Sequence, residues 1–142
     1  MLNLTNKKGT LIPSIGLGTF PFEGRMMADM VINASKIGYR LFDTADDYRG
    51  ESGIGLAITE LKEKTGLSRE DLFLQTKISD NNAHPDEPLK GVYFNPNSKF
   101  MQRHTVDEIV REKVVNSLHE MNTDYIDSLL IHYPFSEYKV DI

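Results

Sequence analysis

Cysteine is absent from this 142-residue chain. Its absence excludes disulfide staples and thiolate metal ligands, and fits folding in a reducing compartment. Basic clusters are missing as well. Sixteen Lys and Arg stand against 21 Asp and Glu, for a net charge of −5, so a nucleic-acid partner is not expected. Nowhere does an apolar run approach membrane-spanning length, and the first residues, MLNLTNKKGTLIPSIGLG, hold no continuous apolar leader segment. The four histidines and nearby acids show no HExxH or related spacing, so no metal site is expected. What remains is a cytoplasmic, soluble protein. A content of 39% hydrophobic and 26% charged residues suits one globular domain, residues 1–142, that buries a core.

Apolar periodicity supplies the architecture. SIGLGT (14–19), YRLFD (39–43), DLFLQTK (71–77) and DYIDSLLIH (124–132) have the length and composition of strands. Between them lie helical patterns. Met27, Met30, Val31 and Ala34 recur before Gly38. Ile54, Ala57, Ile58 and Leu61 line a helix from about Ser52 to Lys64. Ile109, Val110, Val114, Leu118 and Met121 line a third, which Thr105 and Glu108 can open as a capping box. Strands alternating with helices of this length mean βαβ units and a parallel sheet, because hairpins need no such crossovers. The class is α/β, with four βα units. Residues 78–104 follow neither period and form a long insert, either a solvated loop or a substrate lid.

Each strand ends in a polar or ionisable residue: Thr19, Asp43, Lys77 and His132. In a parallel sheet these carboxyl ends share one edge, which in βα barrels carries the active site. Tyr48 follows Asp43 on the loop above. Singly, each has a bland explanation as a solvated or hydrogen-bonded rim residue. Together they make chemical sense, because a phenol is too weak an acid to exchange protons readily at neutral pH unless a nearby cation favours its phenolate. Asp43 then anchors Lys77, Lys77 supplies the charge, Tyr48 is the proton donor, and His132 orients a carbonyl oxygen.

These stretches resemble the aldo-keto reductase superfamily. LFDTADDYRGESGIGLAI is similar to its signature of a strand-end Asp-Thr-Ala followed by Tyr and an acidic residue. LFLQTK resembles its lysine strand, DYIDSLLIHYP its histidine strand, and GLGTF its first barrel strand. The resemblance implies the amino-terminal half of a TIM-type (β/α)8 barrel, four of eight units, that reduces aldehydes or ketones with NADPH. The implied catalytic tetrad is Asp43, Tyr48, Lys77 and His132. Nicotinamide-side contacts would come from Gly18, Thr19, Phe20 and Asp43. Phe20, Tyr48, His132 and Tyr133 would line the substrate mouth. Phe20 and Tyr133 stand where the family often has tryptophan, Gly50 stands for a usual Asn, and the 78–104 segment is longer than the family leads one to expect.

Two function classes therefore compete. One is an NADPH-dependent carbonyl reductase whose site is completed by a carboxyl-terminal half or by a second copy in a homodimer. The other is a truncated, non-catalytic half-barrel that binds a partner. A Rossmann-type dehydrogenase is disfavoured, because no glycine fingerprint follows the first strand, and GIGLAI (53–58) has no strand immediately before Gly53 and has Ile58 in the place of a third fingerprint glycine.

Overall fold

The structure, a computed structural model, describes residues 3–5, 9, 11–79 and 106–132. Among the described residues, six short strands and three α-helices occur in the order β1 (Asn3–Thr5), β2 (Leu11–Pro13), β3 (Gly16–Gly18), α1 (Gly24–Lys36), β4 (Leu41–Asp43), α2 (Glu51–Thr65), β5 (Phe73–Ile78), α3 (Val106–Glu120) and β6 (Ser128–Ile131). Strands β3 to β6 form a parallel sheet in chain order. This is the α/β arrangement expected; β3, β4 and β6 are shorter cores of their predicted segments, and β5 starts two residues later than predicted and ends one residue past Lys77.

The hairpin of β1 and β2 is an addition that periodicity did not reveal. It pairs Asn3 with Pro13 and Thr5 with Leu11 in antiparallel register, and strands of three residues are too short to display an alternating pattern. The insert begins later than expected, because Ile78 completes β5 and Ser79 is buried. Residues 80–104 and the proposed cap Thr105 lie outside the described residues, as do Tyr133 and the Ile109 side chain.

The core lies between the sheet and its helices. Phe42 and Leu74 point from neighbouring strands towards Met27 and Val31 of α1 and Ile54, Ala57 and Leu61 of α2, and all of them are fully buried. Helices α1 and α2 approach closely because α2 carries Gly53, where a Cβ would collide with Met27 and the Gly24 carbonyl. Gly66 stops α2 at a φ of +77° that favours glycine, and its N–H satisfies the Lys62 carbonyl. The third helix departs from its predicted apolar stripe. Met121, just past its end, is buried as expected, and so are Lys113 and Ser117. The inward side of α3 is thus partly polar.

Register decides what faces the active edge. Asp43 pairs with Gln75 and Gln75 with Ser128, while Lys77 pairs with Leu130. With a side-chain period of two, Asp43, Gln75, Lys77, Ser128, Leu130 and His132 share one face, and Phe42, Leu74 and Thr76 take the helix-covered face. The outer strand β6 leaves Leu129, Leu130 and Ile131 at 43%, 43% and 64% exposure, as expected of a strand with apolar residues and no covering neighbour among the described residues.

Candidate active site

Asp43 ends β4 at the centre of a hydrogen-bonded row. Lys77 Nζ donates to its Oδ2 at 2.8 Å, and Gln75 Nε2 donates to Oδ1 at 2.7 Å. Ser128 Oγ in turn donates to Gln75 Oε1 at 3.0 Å. Lys77 also donates to the Thr44 carbonyl at 2.8 Å. With side-chain exposures of 14% for Lys77 and 30% for Asp43, the pair is sheltered enough for each charge to need the other.

Tyr48 comes from the short turn Asp46–Tyr48 that follows β4. The Lys77 ammonium lies 4.8 Å from its ring centroid, and its hydroxyl lies 3.3 Å from His132 Nε2. The Tyr48 and His132 rings meet edge-on at 5.2 Å, and Phe20 packs against the other side of Tyr48 at 5.3 Å. The structure therefore brings Asp43, Tyr48, Lys77 and His132 to one edge of the sheet. Gly18 closes β3 beside Asp43, and Phe20 is 66% exposed at the rim. Thr19 is wholly buried and spends its hydroxyl on the Asp43 carbonyl at 3.0 Å.

Several neighbours escaped the sequence reading. Asp46 accepts from Lys113 Nζ at 2.6 Å and from the Ser79 N–H at 3.0 Å, and Lys113 also donates to the Ser79 carbonyl at 3.1 Å. This strut ties the Tyr48 turn to α3 and to the end of β5. Asp47 Oδ1 and Ser79 Oγ both face His132 Nδ1, at 3.2 and 2.8 Å. Gln75 could have been found, because FLQTKI places polar residues two apart in a buried strand. Lys113 carried no comparable signal, since its partner is 67 residues away.

Glu51 opens α2 and is buried beneath this edge. It accepts the Thr76 hydroxyl at 2.7 Å and a hydrogen bond from Ser117. Removal from water is the largest influence on its carboxyl, which is pushed up from 4.5 to about 7 despite those donors. A raised folded-state value means that the protonated form supports the fold. That support is complete below the ordinary value near 4.5 and is lost as pH rises through about 7. Glu51→Gln, which mimics the neutral acid, is accordingly expected to match the wild type near pH 4.5 and to exceed it in stability above pH 7, by on the order of 3 kcal/mol. Melting temperatures across this range test the sign, and parallel curves for the two proteins would refute it.

Parallel βα units with a carboxylate–ammonium pair, a phenol and an imidazole gathered at the strand carboxyl ends define part of a (β/α) barrel of the reductase type. The chain belongs to the Aldo/keto reductase family, whose model matches residues 14–141. It is 35% identical over 136 residues to the NADP-dependent D-sorbitol-6-phosphate dehydrogenase of Malus domestica, covering 94% of this chain and 36% of that protein. A methylglyoxal reductase of Yersinia pestis is 33% identical, over 92% of this chain and 39% of that one. Among solved structures, the aldose reductase of Schistosoma japonicum aligns with a TM-score of 0.70 at 32% identity, over 94% of this chain and 37% of that chain. An aldo/keto reductase from Brucella melitensis gives the same TM-score of 0.70 at 29% identity, over 94% and 42%. The chain thus spans well under half the length of these relatives.

Proposed function

We propose that this chain carries the proton-transfer half of an NADPH-dependent reductase that converts small aldehydes or ketones to alcohols. The observation that carries the proposal is the Tyr48 hydroxyl held 3.3 Å from His132 Nε2, beside an ammonium that a carboxylate holds at 2.8 Å. NADPH, when bound, supplies hydride to the carbonyl carbon. Tyr48 donates the proton that the carbonyl oxygen takes up. Lys77 stabilises the negative charge left on the phenol, and Asp43 holds Lys77 in place. Two features of the rim support the nicotinamide end of that cofactor: a Cβ at Gly18 would meet nothing within 4 Å among the described residues, and Phe20 offers an exposed ring packed against Tyr48. Relatives named as NADP-dependent support the choice of cofactor.

A second reading, a binding half-barrel without turnover, draws on the exposure of Leu129, Leu130 and Ile131 along β6. Unpaired strand edges favour association. On this reading the half-barrel would bind a partner along that edge without completing a catalytic site. Both readings meet in one experiment, NADPH oxidation with a small aldehyde by a preparation whose mass is read by light scattering. Turnover in a particle larger than the monomer is expected. A monomer that neither binds NADPH nor turns over would refute the reductase reading for this chain.

A further inference from the structure

We infer that Lys113 and Asp46 form a positioning clamp that sets the Tyr48 turn against Lys77. The functional part of the inference rests on the reductase reading above, in which Tyr48 donates the proton.

The turn that carries Tyr48 does not hold its own shape. It is the three-residue turn Asp46–Tyr48, no side chain caps its start, and the Tyr48 N–H closes it on the Ala45 carbonyl at 3.1 Å. A single turn fixes several backbone angles for one hydrogen bond, so it persists only where its surroundings supply the rest. Arg49 adds to that need. It leaves the turn at a φ of +58°, in the left-handed region that residues with a Cβ adopt rarely.

Asp46 supplies the hold. Its Oδ1 accepts the Ser79 N–H at 3.0 Å, its Oδ2 accepts Lys113 Nζ at 2.6 Å, and Lys113 donates again to the Ser79 carbonyl at 3.1 Å. One ion pair thereby engages both backbone groups of Ser79. The Lys113 and Asp46 side chains are 6% and 11% exposed, so neither charge has enough water to do without the other. Placement gives the pair its function. Asp46 stands two residues before Tyr48, and Ser79 two residues after Lys77. The clamp therefore closes a ring of chain in which phenol and ammonium face each other, with Lys77 Nζ 4.8 Å from the Tyr48 ring centroid. Without the Lys113 ammonium the Asp46 carboxylate turns towards water, and the Tyr48 turn moves with it. Lys113 is on this account a positioning residue that acts through Asp46.

The test sets Lys113→Met beside Ser117→Ala, a change one helical turn along the same buried side of α3 that removes a hydrogen bond to Glu51 instead. Amide hydrogen exchange is read at Ser79 and Tyr48, with buried Leu74 of β5 as the reference, and kcat is referred to the number of NADPH-binding sites. In Lys113→Met, exchange at Ser79 and Tyr48 is expected to accelerate by about tenfold or more relative to Leu74. The same variant should lose about 10- to 10²-fold in kcat, the range that a misplaced reacting group costs, while NADPH affinity stays within about twofold. Ser117→Ala should leave the exchange ratio, kcat and NADPH affinity at wild-type values. A pair that serves only general stability would speed the three amides together and leave kcat per binding site unchanged, and either result overturns the inference. Should Lys113→Met not fold, the double variant Asp46→Asn with Lys113→Met, which strands no charge, takes the same measurements. A wild-type protein without NADPH binding or turnover refutes the reductase reading separately, and the exchange ratio then decides whether the clamp holds the turn.

Discussion

Tyr48→Phe is expected to lower carbonyl reduction by about 10²–10⁴-fold, the usual worth of a positioned proton donor, with little change in NADPH affinity or melting temperature. The substitution removes one hydroxyl and leaves the ring, whose contacts with Phe20 at 5.3 Å and His132 at 5.2 Å are made by carbon faces and edges. The lost hydrogen bond is to His132 Nε2 at 3.3 Å. It is long for its type and should contribute no more than about 1 kcal/mol to stability. A group used only in the transition state lowers kcat and kcat/KM together. Initial rates of NADPH oxidation over a substrate range, set beside a thermal melt, give both readings. Wild-type turnover in the Phe variant would remove Tyr48 from the proton-transfer role.

The second large effect is expected for Lys77→Met. Here stability should fall along with rate, because among the described residues the Asp43 carboxylate would keep only the Gln75 amide as a donor where it now also has an ammonium at 2.8 Å. Stranding a buried carboxylate costs about 3–5 kcal/mol. Asp43 retains 30% exposure, so water relieves part of that, and about 2–4 kcal/mol is the expected loss. The Thr44 carbonyl loses its Lys77 donor too. Adding Asp43→Asn to Lys77→Met separates the causes, since it removes the stranded charge. Stability should then recover in large part while the rate stays low, because the ammonium beside Tyr48 is still missing. If Lys77→Met melted and turned over like the wild type, Lys77 would be a solvated strand end.

Both experiments rest on residues that the sequence itself singled out, and that reflects how much of the site was legible. Asp43 and Tyr48 are five residues apart. Lys77 and His132 each sit at the end of an apolar run, where a parallel sheet must deliver them to the same edge. Gln75 was legible in principle from the alternation in FLQTKI, but assigning it a partner required the register that sets it opposite Asp43. The β1–β2 hairpin was not legible at all, since its pairing depends on backbone hydrogen bonds between two segments too short to show a period.

The sequence by itself determined the order of the four parallel strands and the three helices, the parallel sheet and the four polar strand ends. These follow from local apolar periodicity, which each segment carries independently of the rest. Only the tertiary structure decided the environment of those ends. The Lys113–Asp46 strut joins groups 67 residues apart, Ser79 meets His132 across 53 residues, and Glu51 is pushed up to about 7 by what covers it. Hydrogen-bond partners and burial are set by distances of a few ångströms between remote segments, and packing alone fixes those distances.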